Sequence, residues 1–324
     1  MKTTGIGSLP HHNVDSALNY SFRHDLPFLP QLPLKNPAEM MVFQTLFGFP
    51  GLELIHDKPI LNLKKYVKTR NASMELLEKS LHDDNYEAFL PTPTEYSAFA
   101  PFIFELQERN SKEAKVQISG HLTNSLVLSL EDGESLKDYP QILSDIFKWT
   151  MVKGLALIQV LKKKAIKPVI FIDEPILTIF KSSSDPLFIT GISELTMLAL
   201  CFRKNGAVVG MHSCGNALWK NVLDLPLDYL SFDCKLSTTQ VLQEEDSVNN
   251  FLKGGGKLSL GLLPTQMFDQ GEAEVNPEEL LRPWEKHQNE TLLTCACGLG
   301  LKTPEKAELF LSLLNRFKLK DSCK

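Results

Sequence analysis

Short apolar runs, each closed by a turn or a polar residue, recur along the whole chain: TGIGSLP, PFLPQLP, KVQISGHLT, KPVIFIDEP, AVVGMHSCG, LDYLSFDC, KLSLGLLP and TLLTCACGL. Runs of this length, bounded by turn residues, read as buried strands. The later ones are separated by stretches with helical periodicity, such as TGISELTMLALCFRKNG and TPEKAELFLSLLNRFKLK. Strands that alternate with helices imply parallel pairing through helical crossovers. Eight such units in 324 residues predict an α/β protein with a single (β/α)8 TIM barrel over residues 1–324. A doubly wound sheet would carry a glycine-rich phosphate turn early, and TGIGS lacks its third glycine. Residues from about 36 to 112 are the least regular, with helical stretches AEMMVFQTLFGF and NASMELLEKSLHDD and then a proline-broken LPTPTEYSAFAPF. They predict an elaborated crossover between the second and third strands.

Function in such a barrel sits at the C-terminal ends of the strands. The unusual polar residues fall at those ends: Ser8, Asp173, Glu174, His212, Cys214, Asp233 and Cys297. His212 and Cys214, two positions apart on a strand, share a face. With Cys297 they offer one imidazole and two thiolates, a donor set suited to Zn2+ with a position left open for substrate. Asp233 is a candidate fourth ligand, or a partner that orients His212. Cys295 is a weaker rival to Cys297, and Cys234 points to the core. The adjacent carboxylates Asp173 and Glu174 follow a run of valine and isoleucine, where they need a cation or solvent; a substrate ammonium is one such cation. In Ile6-Gly7-Ser8 the glycine lets backbone N–H groups come close to a carboxylate or phosphate, although a plain turn gives the same pattern. His11 and His12 read as solvated loop residues, and His121 ends a strand without an assigned role.

Composition narrows the partners. The chain is 43% hydrophobic and 23% charged with a formal charge of -5, which argues against nucleic acid and anionic membrane as partners. No unbroken apolar run reaches the roughly 18–20 residues a membrane span needs, and MKTTGIGSLPHH has no apolar core of a secretory signal. Six cysteines in such a chain are better read as core residues or metal ligands than as disulfides. The expected compartment is therefore cytoplasmic.

Taken together, TTGIGSLP, FIDEP, HSCGN, LSFD and CGLGLKTPEKA resemble the cobalamin-independent methionine synthase catalytic domain and the related uroporphyrinogen decarboxylase-like methyltransferases, over residues 3 to 313. The resemblance implies a (β/α)8 barrel with a zinc ion that binds the thiol of a methyl acceptor such as homocysteine. It implies His212, Cys214 and Cys297 as zinc ligands and no catalytic residue beyond the metal site. Asp233 stands where methionine synthases have a ligating glutamate. Ile6, Gly7 and Ser8 match the segment that holds the amino-acid carboxylate, and Asp173 matches the residue that pairs with the substrate ammonium. The folate-dependent enzyme has an additional N-terminal barrel, whereas the matching motif here begins at residue 3. The family's proton-donating histidine after the seventh strand is absent; Gln266 lies near that place. A folate amine needs a proton to leave, whereas cob(I)alamin leaves as a stable anion. The resemblance therefore implies a methylated corrinoid protein as donor and a small thiol as acceptor. Two rivals stand beside this reading, and a third, a purely structural barrel, is opposed by the polar groups clustered at the strand ends. One is a barrel that binds zinc or an amino acid without turnover. The other is a metal-free decarboxylase, which would need N-terminal arginines; Arg23 and Arg70 are the only early ones.

Overall fold

A computed structural model describes residues 1–267, 269, 275–287 and 291–321. Cys323 lies outside the described residues. In chain order the strands are β1 (Lys2–Thr3), β2 (Leu52–Ile55), β3 (Lys58–Leu61), β4 (Glu113–Ser119), β5 (Ser129–Leu130), β6 (Lys167–Asp173), β7 (Val208–Ser213), β8 (Tyr229–Asp233), β9 (Lys257–Leu263) and β10 (Leu292–Cys295). Seven of them form one curled, all-parallel sheet in the order β1-β10-β9-β8-β7-β6-β4. Parallel strands require crossovers. Pro186–Lys204 joins β6 to β7, and Cys234–Gln243 with Glu245–Lys253 joins β8 to β9. Pro140–Lys163 leads into β6 and Pro304–Asp321 follows β10. The strands are buried almost throughout, because helices cover the outer face and side chains fill the curl.

The expected closed eight-stranded barrel is corrected to a TIM-like sheet of seven strands. PFLPQLP does lie between the two sheet edges: Lys115 N donates to Pro27 O (2.8 Å), Leu29 N to Lys115 O (2.9 Å) and Gln31 N to Gly7 O (3.1 Å). These contacts form isolated bridges, Phe28 to Lys115 and Ser8 to Gln31, instead of a ladder. Pro27, Pro30 and Pro33 are the physical reason, since each removes a backbone donor and fixes φ. The elaborated crossover after this segment is present. It also contains a small second sheet, β2-β3-β5, whose antiparallel β2–β3 hairpin turns at His56 and Asp57; the eight apolar runs do not predict it.

Most buried side chains form one core between the sheet and its helices. A second small cluster, Leu26, Val169, Phe171 and Leu292, lies inside the curl and fills its N-terminal end. Helix Pro186–Lys204 is long and apolar enough to cross a membrane by length and composition alone. Its Phe188, Gly191, Leu195, Leu198, Ala199 and Phe202 are buried within the protein, while Ile189, Met197 and Leu200 are exposed.

Candidate metal centre and acceptor cavity

The C-terminal ends of the strands open into a cavity of about 390 Å³ whose lining includes Ile6, Ser8, Asp173, His212, Cys214 and Cys297. Segments distant in the sequence thus converge as a parallel sheet requires. His212, near the end of β7, is 3% exposed. Its Nδ1 lies 3.0 Å from Ser231 Oγ, the residue directly across on β8. With its proton on Nδ1 donated to that hydroxyl, the ring turns the lone pair of Nε2 outward. Nε2 is buried and has no hydrogen-bond partner. Cys214 follows β7 and Cys297 follows β10. The ligand atoms of His212, Cys214 and Cys297 all lie within 4.8 Å of one another.

The two thiols titrate as a pair. Cys214 is pulled down to about 4 by the hydrogen bond it receives from Cys297 and by His212. Cys297 is pushed up in turn, first by that hydrogen bond to the Cys214 thiolate and then by burial. Cys214 is thus the more acidic of the two thiols, and it lies beside an imidazole nitrogen that has no hydrogen-bond partner. An orphaned buried imidazole nitrogen next to two thiols is a donor set that zinc satisfies, so the residues present fit the ion.

Asp233 stands at the end of β8, beside this cluster. Its Oδ1 accepts from Lys235 N (2.7 Å) and Leu236 N (3.2 Å), capping helix Cys234–Gln243. Burial raises its pKa above the usual carboxylate range, and the two backbone bonds hold it back. The group of mutually close ligand atoms among the described residues contains His212, Cys214 and Cys297 and not Asp233.

The two adjacent carboxylates separate. Asp173 lines the cavity, and its Oδ1 is buried with no partner. Burial pushes its pKa up to about 6, with Lys115 and then His212 pulling the other way. Glu174 does not reach the cavity: it accepts from Leu122 N (3.0 Å), Thr123 N (2.9 Å) and Thr123 Oγ1 (2.6 Å) at the start of helix His121–Val127. The expectation that it meets substrate gives way to a capping role, since its orientation is set by the helix N-terminus rather than by the strand.

Ile6 and Ser8 line the cavity, whereas Gly7 packs against its wall. A Cβ on Gly7 would lie 2.8 Å from Gln117 Nε2 and from Gln31 Oε1, so glycine is required for close approach. Ser8 O accepts from Leu299 N (2.8 Å), tying this segment to the loop that carries Cys297. Cys295 and Cys234 are core residues, 5% and 1% exposed. Cys295 does not share the face of Cys297, because β10 ends at Cys295 and strand alternation ends with it. His11 is buried against Tyr20, contrary to expectation, and His12 is exposed as expected. His121 is buried and pairs with Glu194 at 2.8 Å.

Several residues of the site were not found from the sequence. Glu39 and Gln31 line the cavity along with Met40 and Met41. Beneath it Lys115, 1% exposed, points into the curl, and its Nζ donates to Ile6 O at 2.6 Å. The signal was present in KVQIS: Lys115, Gln117 and Ser119 alternate along a strand that ought to be apolar on both faces.

No protein-family model matches the chain, and no curated protein matches it. Among solved structures, a methyltransferase from Methanosarcina mazei superposes with a TM-score of 0.55 at 13% identity, covering 98% of this chain and 94% of that one. The likeness is one of fold. It extends over nearly the full length of both chains.

Proposed function

We propose that this chain is an S-methyltransferase that moves a methyl group to a small thiol, with zinc held by His212, Cys214 and Cys297. The observation that carries the reading is the convergence of those three ligand atoms, one of them an orphaned buried nitrogen, on the wall of a substrate-sized cavity. The fold it shares with a methyltransferase supports the same class of reaction.

Zinc bound there would supply a Lewis acid that keeps an acceptor sulfur as thiolate at neutral pH. The chain's own residues do the rest. Ser231 fixes the ring of His212, so that Nε2 rather than Nδ1 faces the ligand position. Asp173 offers its unpartnered oxygen to an acceptor ammonium, and Ser8 with the Ile6–Ser8 backbone holds the acceptor's polar end. These contacts contribute orientation. Asp233 acts behind the ligands, its capping bonds keeping it from swinging toward the metal. We assign a methylated corrinoid protein as donor: Gln266 lines the cavity, and an amide cannot protonate a departing folate amine as an imidazolium does. The decarboxylase reading is disfavoured by a cavity whose described lining contains no arginine.

The test is zinc content and methyl transfer from methylcobalamin to homocysteine and other small thiols, for wild type and Cys297→Ser. The expected result is about one zinc per wild-type chain by the three-ligand rule, with both zinc and transfer lost in a variant that still folds. Full transfer by Cys297→Ser in metal-free buffer would overturn the proposal.

A further inference from the structure

We infer that Lys115 is a positioning residue of the acceptor site, pinning the Ile6 carbonyl from beneath the cavity and supplying the counter-charge to Asp173. The inference rests on the methyl-transfer reading and assigns a role which that reading leaves open.

The geometry is that of a charge placed for its neighbours. Lys115 is among the largest fully buried side chains of the protein. Its Nζ donates to Ile6 O at 2.6 Å and to Gln117 Oε1 at 3.3 Å, and lies 4.8 Å from the centre of the Phe171 ring. Among the described residues it forms no ion pair within 4.0 Å, in contrast to Lys153, whose Nζ reaches Glu95. A buried lysine without a carboxylate in contact is costly, and a neutral residue would fill a purely structural position more cheaply.

Asp173 ends β6, the strand that pairs with Lys115's own strand β4; its charge opposes the loss of the Lys115 proton, and its Oδ1 is buried without a hydrogen-bond partner. Lys115 therefore balances the charge of Asp173 without occupying it, and the carboxylate stays available to the cavity. Its second contact is the carbonyl of Ile6. Gly7 is pressed against Gln117 and Gln31 at distances that exclude a side chain, and Gln117 Nε2 is held by Leu29 O (2.8 Å) and Tyr96 Oη (2.9 Å). Lys115 and Gln117 together form a floor on which the Ile6–Ser8 segment rests. One ammonium thus serves both ends of the acceptor site, the acidic wall and the backbone segment.

A double-mutant cycle separates this role from a structural one. Steady-state transfer from methylcobalamin to homocysteine is measured for wild type, Lys115→Met, Asp173→Asn and the double variant, with zinc content alongside. We expect Lys115→Met to raise KM for the acceptor about 10- to 100-fold, as loss of a charge-assisted contact does. Its kcat and zinc content should stay near wild type. The double variant should be worse than Asp173→Asn alone by less than Lys115→Met is worse than wild type, since the two residues share the charge contact while Lys115 also holds Ile6 O. Lys115→Gln, which keeps a donor for Ile6 O but no charge, should show a smaller rise in KM than Lys115→Met and serves if Lys115→Met does not fold. A wild-type KM in Lys115→Gln, additive losses in the cycle, or a fall in kcat at unchanged KM would overturn the assignment while leaving the methyl-transfer reading intact. If wild-type protein transfers no methyl group to any small thiol, the reading and the assignment fall together.

Discussion

The chain from β6 onward and the chain before it build the same cavity by different means. From Lys167 to Cys295 the strands pair in parallel, with a register shift at Thr294/Cys295, and the three candidate ligands come at or just beyond the ends of β7 and β10. Before Lys167 the chain is interrupted by prolines, a small second sheet and short turns. That part contributes side chains held by a polar network, among them Glu39, Gln31 and, beneath the wall, Lys115. The difference teaches a division of labour: regular strand ends supply the candidate metal ligands and Asp173, and the irregular half shapes the rest of the cavity. If this is right, substitutions at or behind the three candidate ligands should remove or weaken zinc, whereas substitutions in the first half should change stability or acceptor recognition and leave zinc in place.

The largest effect expected is on zinc itself. Cys214→Ser, in the regular half, should leave a folded protein with no bound zinc by elemental analysis and no methyl transfer, because hydroxyl is a far poorer ligand than thiolate. Next comes Glu39→Ala in the irregular half. Glu39 accepts from Leu32 N (2.9 Å), Ser97 N (3.1 Å) and Ser97 Oγ (2.5 Å), and its loss strands those donors. Urea unfolding should report a destabilisation of about 2–3 kcal/mol, with zinc content per folded chain unchanged. Zinc lost along with that stability would break the division of labour.

A smaller effect returns to the regular half. Ser231→Ala removes the hydroxyl that fixes the His212 ring. Zinc affinity, measured by competition with a chelator, should fall about tenfold, the lower end of what outer partners of a ligating histidine contribute. An unchanged affinity would mean that strand β7 alone orients the ring.

The same division decided what the sequence disclosed. The clustering of His212, Cys214 and Cys297 was legible because an imidazole and thiols placed just after apolar runs fall at strand ends, and those runs became strands of one sheet. Barrel closure was not, because PFLPQLP is apolar enough for a strand yet its prolines withhold the donors of a ladder. Glu174 was misplaced because strand alternation stops at Asp173, and the next carboxylate turns to a helix N-terminus that only the tertiary fold brings near. Glu39 gave no signal at all, since two of its three bonds come from Ser97, 58 residues away. Lys115 did give one, a polar alternation within a strand that ought to be apolar on both faces. Buried charges in this half are invisible to arguments that look only at strand ends.

The smallest effect sharpens the contrast within the irregular half. Lys153, on helix Pro140–Lys163, is 8% exposed and lies 4.0 Å from Glu95 Oε1. Burial lowers its pKa to about 8, against the opposing pull of Glu95. Its folded value is thus below the free-lysine value of 10.5, so the unfolded chain binds more protons between about pH 8 and 10.5. Stability then rises with pH across that window, since the unfolded state holds the proton that the native state releases. Urea midpoints of wild type and Lys153→Met, compared from pH 7.5 to 10 (the usual working range below the lysine pKa), should converge as pH rises, the variant losing its relative advantage. Lys115, whose pKa burial also lowers to about 8, remains in both proteins, so the comparison isolates Lys153. A difference in midpoint that does not vary with pH would show that Glu95 keeps Lys153 charged throughout, and that the irregular half tolerates its buried charges by pairing them rather than by shifting their protons.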